Sequence, residues 1–423
     1  MMGAKYIIEG GKKLEGKLTI SGNKNSVFPC VAASLLTDEE VILENVSDLL
    51  DTQVLIQILE KLGVRVSKEG TTLKIRALEL RHSTLPKELM SKLRGSMVLV
   101  GAILARSGKV YFYHPGGDII GQRSIETHLD GFKALGTTLK RGDLKFSLNY
   151  DREKEPKICS IFLSEASVTA TENLILATVL GEKSLVLKNC PKEPHVIDLC
   201  NMLLQMGANI TGVGTETLRI EGVKKLRGTK FRIGIDYIEV GTYAVASAIT
   251  GGSVTLSGID STNLDPVLEP LKRFGIEIEV RDGEIKVSAE KLKNPPKITT
   301  NIWPGFPTDL MSVAIVLATQ SKGVTLCHDW MYESRMFFID KLISMGARIS
   351  LADPHRVFVY GPTRLKARSL ETPDIRAGMA LVLAALTAKG QSIVNQAELI
   401  ERGYEDVVGK LQSLGASIKR VDL

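Results

Sequence analysis

Residues 59–66 read LEKLGVRV, an apolar helix face that ends at Gly63 and is followed by the alternating pattern of a β-strand. The same phrase of helix, glycine and strand returns at residues 132–139, 203–210, 271–278, 342–349 and 411–418. Successive glycines of the phrase lie 68 to 73 residues apart, so a single repeat is used six times. A glycine after a helix supplies the left-handed residue that ends it, and the alternation that follows predicts a strand.

Each repeat contains further helix and strand signals. Apolar helices are predicted at Ser26–Leu36, Thr171–Leu180, Val240–Ile249, Leu310–Ala318 and Gly378–Leu386. Short strands are predicted at VILENV (41–46), KVYFYH (109–114), SLVLKN (184–189), SVTLSG (253–258), GVTLCH (323–328) and QSIVNQ (391–396). Strands that alternate with helices indicate the α/β class, and these repeats are too long for a solenoid of 20–45-residue units.

Two lobes of three repeats each are the simplest arrangement. We expect the first lobe to span residues 21–231 and the second to combine residues 1–20 with 232–423. The strand Lys5–Ile8 and its partner Leu18–Ile20 precede the first helix and are expected to close the second lobe.

Composition excludes several classes of protein. With 423 residues, 44% hydrophobic and 24% charged, the chain is that of an ordinary globular protein rather than a disordered or fibrous one. Its longest apolar runs, Ser96–Ala105 and Met379–Ala388, are too short to cross a bilayer, and the N-terminus resembles no secretory signal. Five cysteines without metal-ligand spacing favour a reduced, cytoplasmic setting. Dispersed positive charge and 5% aromatic residues argue against nucleic-acid binding.

The usual motifs for nucleotide hydrolysis, dinucleotide binding, zinc proteolysis and α/β-hydrolase chemistry are absent from the sequence. Instead, short polar segments precede predicted helices: SGNKN (21–25), PGGDIIGQR (115–123), SVTATEN (167–173), DYIEVGT (236–242), PGFPTD (304–309) and DIRAG (374–378). Helix N-termini favour anions, because their first N–H groups are unpaired and the helix dipole is positive there. These segments therefore predict sites for a negatively charged ligand.

Three of these segments carry groups suited to catalysis. Lys24 and Asn25 would suit a phosphate or carboxylate, or would simply form a solvated cap. Asp118 lies in a glycine-rich loop among apolar neighbours, which would raise its pKa toward that of a general acid; an ordinary turn is the alternative. Asp309 is delivered by a proline-rich loop to a helix start, where it could equally be a plain N-cap.

Arginines beside small residues complete a set of cations. Arg94, Arg376 and Arg402 each lie next to glycine or alanine, although any one of them could be an ordinary surface arginine. With Lys24 and Arg123 they are distributed over both predicted lobes. We expect them to bind an anionic substrate.

Nine segments, in one order over nearly the whole chain, resemble the enolpyruvyl transferase family. They are SGNKN, LRGSMVLVGAILAR, PGGDIIGQR, SVTATEN, IEVGT, WPGFPTD, YESR, DIRAGMALVLAAL and ERGYE. They are most similar to its members that act on UDP-N-acetylglucosamine. The resemblance implies two inverse α/β barrel lobes of three repeats each. It also implies transfer of enolpyruvyl from phosphoenolpyruvate to the sugar 3-hydroxyl with release of phosphate, without a metal or organic cofactor.

The resemblance also assigns roles to residues. Asp118 would be the general acid, Asp309 the base for the hydroxyl, and Lys24 would act with Arg123 and Arg402 on phosphoenolpyruvate, with Arg94 and Arg376 nearby. Asn25 and Asp309 would contact the sugar, and the backbone of Met331 would make a further contact with the substrate. The uridine and diphosphate would be lined by Arg123, Ser124, Ile125, Glu126, Thr127, Glu165, Ala166, Ser167 and Val168.

Four positions depart from the family pattern. The loop has Asp118 where the family usually has cysteine, so the thiol-alkylating epoxide fosfomycin is expected to lose its target. RSIETH (123–128) replaces RPVDLH, and Thr169 stands in SVTAT where SVGAT is usual. Leu50 replaces a basic residue before Asp51. These changes leave open another acceptor, such as shikimate 3-phosphate or a different nucleotide, and a non-catalytic paralogue that binds a nucleotide sugar.

Overall fold

A computed structural model describes residues 3–423 except 118–119, 122, 151–157 and 260–263. Within it the chain forms two compact units. The first unit comprises residues 22–117 and 123–234. The second comprises residues 3–21, 120–121 and 235–423.

Helices separate single strands and short groups of strands along the described residues. The strands are β1 (Ala4–Glu9), β2 (Glu15–Thr19), β3 (Glu40–Glu44), β4 (Arg65–Glu69), β5 (Thr72–Arg76), β6 (Lys109–Tyr113), β7 (Thr137–Arg141), β8 (Lys145–Tyr150), β9 (Ile158–Phe162), β10 (Ser184–Lys188), β11 (Asn209–Thr211), β12 (Thr217–Glu221), β13 (Lys230–Arg232), β14 (Ser253–Ser257), β15 (Glu277–Arg281), β16 (Glu284–Ser288), β17 (Lys297–Thr299), β18 (Gly323–His328), β19 (Arg348–Asp353), β20 (Arg356–Gly361), β21 (Ser369–Glu371), β22 (Gln391–Asn395) and β23 (Ser417–Asp422).

The helices are α1 (Lys24–Ser34), α2 (Leu50–Lys61), α3 (Lys87–Met90), α4 (Leu99–Ser107), α5 (Glu126–Ala134), α6 (Val168–Thr178), α7 (Pro194–Gln205), α8 (Tyr237–Ile249), α9 (Asp265–Lys272), α10 (Met311–Gln320), α11 (Ile339–Ser344), α12 (Ile375–Thr387) and α13 (Val407–Ser413). In the part of the chain that the structure describes, 3-10 turns supplement them at Arg94–Val98, Thr308–Leu310 and Ala397–Arg402.

Each unit is built on three small sheets. In the first unit the strand orders are β13-β3-β5-β4, β6-β8-β7 and β11-β12-β10-β9. In the second they are β15-β16-β14-β2, β17-β18-β20-β19 and β21-β22-β1-β23. Every sheet contains the predicted strand of one repeat, so the six repeats and the α/β class are confirmed.

The six repeat glycines adopt the predicted left-handed conformation. Their φ angles lie between 86° and 99° at Gly63, Gly136, Gly207, Gly275, Gly346 and Gly415. A β-carbon disfavours this region of backbone space, so glycine ends each helix at the least cost and turns the chain into the next strand. The local signal in the sequence and the local structure therefore agree in all six repeats.

The inner helices are apolar on nearly all sides and form the cores of the units. Helix α4 packs on α6 in the first unit, and α10 packs on α8 and α12 in the second. A helix that is apolar all round must be surrounded by other elements, which explains why these sequences lack a polar face. Within the described part of the chain, no helix is long and apolar enough to span a membrane.

The predicted bounds of these helices were wrong by a few residues. Helices α1, α6, α8 and α12 begin two or three positions earlier than expected, because each starts directly after a polar residue whose side chain accepts a first-turn N–H. These caps are Asn23, Ser167, Asp236 and Asp374. Helix α10 starts at Met311, one residue later than expected, since a 3-10 turn at Thr308–Leu310 precedes it.

The two N-terminal strands both belong to the second unit, but the prediction that they are partners is wrong, because they lie in different sheets. Strand β1 lies antiparallel between β22 and β23, and β2 lies parallel to β14. Residues from both ends of the chain thus share one sheet.

All five cysteines are free thiols, and four of them are buried. Burial raises the pKa of Cys190 to about 11 and that of Cys200 to about 12. Thiols with such pKa values are protonated near neutrality and therefore weakly nucleophilic.

Candidate active site

Lys24 is the first residue of α1 and its side chain is buried. The Asn23 side chain caps the helix by accepting the N–H of Asn25 at 2.9 Å. The Lys24 Nζ lies 2.7 Å from Asp51 Oδ2, and both side chains are less than a tenth exposed. A buried ammonium needs such a partner, so Asp51 fixes the position of the lysine. Sequence reasoning missed this role of Asp51; nothing in the structure explains the neighbouring Leu50.

Arg94 and Arg123 are brought together in the first unit. The Arg94 Nη2 donates to the backbone carbonyls of Arg123 at 2.7 Å and Ser124 at 3.2 Å. Gly117 makes room for them: with φ at 126°, a β-carbon there would lie 2.9 Å from the Arg94 Cβ. Arg94 therefore holds the start of the segment predicted to contact the nucleotide.

Within that segment the side chains point in different directions. Ile125 and Thr127 are both buried, and Ile125 is part of the hydrophobic core. Ser124 Oγ accepts the N–H of Glu126 at 3.0 Å, and the exposed Glu126 carboxylate pairs with Arg141. Any contact that Ile125 makes with a ligand would therefore use its backbone.

The other predicted nucleotide segment, residues 165–168, leads into α6. Glu165 is exposed, and its carbonyl accepts the Ser167 N–H at 2.7 Å. Ser167 caps the helix, while Ala166 and Val168 are half-buried. The first N–H groups of α6 have no partner within the helix, which favours an anion there.

Asp309 is held by two arginines. Its Oδ1 accepts from Arg335 Nη2 at 2.9 Å, and its Oδ2 accepts from Arg376 Nε at 2.9 Å. It lies in the 3-10 turn before α10 and does not cap that helix, so the N-cap alternative for Asp309 is wrong. Two guanidinium groups hold this carboxylate in a single orientation.

Arg335 is the centre of this cluster and was missed as a site residue. Its side chain is 1% exposed and also lies 4.0 Å from carboxylate oxygens of Asp329 and Asp374. Burial lowers the pKa of Arg335, but the surrounding carboxylates outweigh burial and raise it overall. The segment YESR contains it, so the signal was present in the resemblance.

Arg376 is ordered from three sides. Asp374 accepts its backbone N–H at 2.8 Å, Asp309 accepts from its guanidinium, and the ring of Tyr404 lies 5.1 Å from the guanidinium carbon. Tyr404 is buried and its hydroxyl lies 3.1 Å from Thr242 Oγ1. Tyr404 belongs to the segment ERGYE, in which Arg402 ends a 3-10 turn and is half-buried.

The backbone of Met331 was predicted to contact a ligand, and its N–H is already used within the protein. Its N–H donates to Asp329 Oδ1 at 3.0 Å, so a backbone contact with a ligand would use the carbonyl. Asp118 lies outside the described residues. The nearby carbonyl of Ile120 accepts the N–H of Ser334 at 3.2 Å, next to Arg335 in the chain.

Comparison with known proteins identifies the family. Residues 8–411 match the model of EPSP synthase (3-phosphoshikimate 1-carboxyvinyltransferase). The chain belongs to the enolpyruvyl transferase family. It is a transferase, and its similarity to named members extends over almost its whole length.

Two relatives and two solved structures illustrate this similarity. The UDP-N-acetylglucosamine 1-carboxyvinyltransferase of Borreliella burgdorferi is 47% identical, with 98% of this chain and 99% of that protein covered. The protein of the same name from Treponema denticola is 43% identical, with 98% of each covered. The enolpyruvyl transferase NikO from Streptomyces tendae superposes with a TM-score of 0.89 at 24% identity, covering 100% of both chains. EPSP synthase from Acinetobacter baumannii gives 0.77 at 18% identity, covering 99% of this chain and 100% of that one. These two structures show the enolpyruvyl transferase fold.

Proposed function

We propose that this chain transfers the enolpyruvyl group of phosphoenolpyruvate to the 3-hydroxyl of UDP-N-acetylglucosamine and releases phosphate. UDP-N-acetylglucosamine is proposed as the acceptor because the chain is 47% identical, over nearly its full length, to a protein named for this reaction. The alternative acceptor, shikimate 3-phosphate, is not favoured, because relatives at this level of identity are named for the sugar nucleotide.

Asp309 would serve as the base. Both of its oxygens accept hydrogen bonds from guanidinium groups, which stabilise the anion and fix the direction of its remaining lone pairs. As the sugar oxygen adds to C2 of phosphoenolpyruvate, its proton would pass to this carboxylate. Arg335 and Arg376 would hold the carboxylate in place during that step.

Cations would bind the two anionic groups of phosphoenolpyruvate. We assign Lys24, Arg123 and Arg402 to its phosphate and carboxylate, with Arg94 and Arg376 as supporting charges. Lys24 would exchange part of its contact with Asp51 for the substrate anion, and Asn25 would contact the sugar. Residues 123–127 and 165–168 would bind the uridine and diphosphate, with the Met331 carbonyl as a further contact.

Asp118 would be the general acid. It would protonate C3 while the oxygen adds to C2. The tetrahedral adduct would then return a proton from C3 to the Asp118 carboxylate as the enol ether forms, and the expelled phosphate would take up the proton held by Asp309. A carboxyl group can supply this proton as a thiol does, but it does not attack an epoxide as readily as a thiolate. The enzyme would therefore be insensitive to fosfomycin.

The biological setting follows from the proposed reaction. Enolpyruvyl transfer to UDP-N-acetylglucosamine would be the first committed step of peptidoglycan synthesis, and through it the enzyme would support cell shape and division. We place the enzyme in the cytoplasm, a location that suits its free thiols.

The test is phosphate release from phosphoenolpyruvate with UDP-N-acetylglucosamine as acceptor. We expect release by the native protein, loss of release in Asp118→Asn, and inhibition by fosfomycin only in Asp118→Cys. A parallel assay with shikimate 3-phosphate should give no phosphate.

A native protein that binds the sugar nucleotide but releases no phosphate would reject the enzyme and leave a nucleotide-sugar-binding protein. Full activity of Asp118→Asn would reject the role of Asp118 as general acid but not the proposed transfer reaction.

A further inference from the structure

A buried histidine joins the two segments assigned to the nucleotide. His128 lies in the first turn of α5 and is 2% exposed. Its Nδ1 lies 3.0 Å from Asn173 Nδ2, and its Nε2 lies 3.1 Å from Thr169 Oγ1. Thr169 and Asn173 are four residues apart on one face of α6, so the imidazole bridges α5 and α6.

The hydrogen-bond pattern determines where the histidine proton lies. The Gly101 N–H can only donate, and it points at Asn173 Oδ1 at 2.7 Å, which identifies the other amide atom as nitrogen. That nitrogen also reaches the carbonyls of Met97 and Thr169. Because Asn173 Nδ2 can only donate, the Nδ1 of His128 must accept. Burial, and next the charge of Arg94, lower the pKa of His128 to about 3, so the ring is neutral with its proton on Nε2.

The Thr169 hydroxyl therefore accepts from His128 and has its own proton to donate. Thr171, on the same helix, donates its hydroxyl proton back to the Ser167 carbonyl at 2.9 Å. The corresponding acceptor for Thr169 would be the Glu165 carbonyl, but within the described residues the hydroxyl has its hydrogen bond with His128 instead. Thr169 is half-buried at the second residue of α6. The hydroxyl proton of Thr169 is therefore available to a ligand beside the first N–H groups of α6.

We propose that Thr169 is a specificity-determining residue that donates its hydroxyl proton to an anionic diphosphate oxygen of the sugar nucleotide. His128 and Asn173 act as positioning residues, since they fix the hydroxyl as a donor. The positive end of the α6 dipole favours an anion beside Thr169, and the charge of Arg94 acts on His128, the hydrogen-bond partner of Thr169. This inference rests on the proposed function, because it assigns a contact within the nucleotide site.

The test compares Thr169→Val, which removes the hydroxyl at nearly constant shape, with Thr169→Ser, which keeps it. Phosphate release gives kcat and the KM of each substrate, and calorimetry gives the Kd of UDP. For Thr169→Val we expect about tenfold increases in the KM of UDP-N-acetylglucosamine and in the Kd of UDP. The KM of phosphoenolpyruvate should stay within about twofold, and Thr169→Ser should restore near-native values.

Thr171→Val is the matched control, because it removes a hydroxyl whose proton is already used within the helix. It is expected to lower the melting temperature without a selective change in the KM of the sugar nucleotide. An active native enzyme whose Thr169→Val variant keeps the native KM and Kd would overturn this inference alone. Equal losses for both substrates together with a lowered melting temperature would show a purely structural role and overturn it as well. A native protein that neither releases phosphate nor binds UDP would reject the proposed function and this inference with it.

Discussion

Arg335 illustrates how a single buried side chain can organise a site. Its guanidinium is enclosed by the carboxylates of Asp309, Asp329 and Asp374. Replacing it by an uncharged side chain leaves three acidic groups without their shared cation. For Arg335→Met we expect a loss of about 3–5 kcal/mol in the free energy of unfolding, measured by urea denaturation, and loss of phosphate release.

Arg356→Met is the matched control for this prediction. Arg356 pairs with Asp353 at 2.6 Å in the same unit, but its side chain is 53% exposed. Removal of this surface ion pair should cost less than about 1 kcal/mol. Equal losses for the two variants would contradict the importance of burial.

His128 makes the stability of the protein depend on pH. Its folded pKa is about 3, below the ordinary value of 6.5, so below pH 6.5 the unfolded chain binds a proton that the folded chain does not. The contribution of this group is complete above about pH 6.5 and is lost as the pH falls toward 3. Between pH 7 and pH 5 this costs about 2 kcal/mol of unfolding free energy.

Urea unfolding at pH 7 and pH 5 tests the assignment. His128→Gln should lose about 2 kcal/mol less than the native protein over this range, whereas the variant of an exposed histidine, His82→Gln, should behave as the native protein does. The same pH dependence in His128→Gln and the native protein would argue against a neutral buried His128.

At the scale of elements, the join between helix and strand depends on glycine. Gly207 ends α7 with φ at 99°, and a β-carbon there would meet nothing within 4 Å. Gly207→Ala therefore tests backbone strain without a steric clash. We expect it to lower the free energy of unfolding by about 1–2 kcal/mol.

Gly142→Ala serves as the comparison, because Gly142 has no positive φ and a β-carbon there would make an ordinary contact of 3.4 Å. It should change the unfolding free energy by less than about 0.5 kcal/mol. If Gly207→Ala is as stable as Gly142→Ala, the left-handed residue is not essential to the join.

At the scale of the whole molecule, the N-terminal strand is a structural part of the second unit. Strand β1 lies inside its sheet, hydrogen-bonded to β22 on one side and to β23 on the other. Deleting residues 1–10 would expose both neighbours and remove the buried side chains of Tyr6 and Ile8. We expect the deletion variant to lose phosphate release and to be cleaved rapidly within residues 235–423 in limited proteolysis.

Deletion of Leu423 alone is the control, because this residue is 66% exposed at the end of the chain. It should leave protease resistance and activity near native values. A variant lacking residues 1–10 that resists protease as the native protein does would show that β23 and β22 can close the sheet without β1.

Sequence reasoning predicted the candidate site as a list of residues but not their contacts. Asp309 and Arg376 were both predicted, yet they are 67 residues apart in the chain and form a hydrogen bond only in the folded protein. Arg335, which also binds Asp309, lies 26 residues from it in the chain. The roles of Asp51 beside Lys24 and of His128 beside Thr169 likewise follow only from contacts between different helices. No pattern along the chain indicates such a contact, because it depends on how distant elements pack.

The sequence by itself determined the six repeats, their strands and the turns between helix and strand. These features are local: the hydrophobic period selects helix or strand, and a position with positive φ selects glycine whatever surrounds it. Only the tertiary structure decided that β1 lies between β22 and β23, and which charges are buried together around Asp309. The physical reason is that burial and pairing energies arise between elements far apart in sequence, and they become defined only when those elements pack.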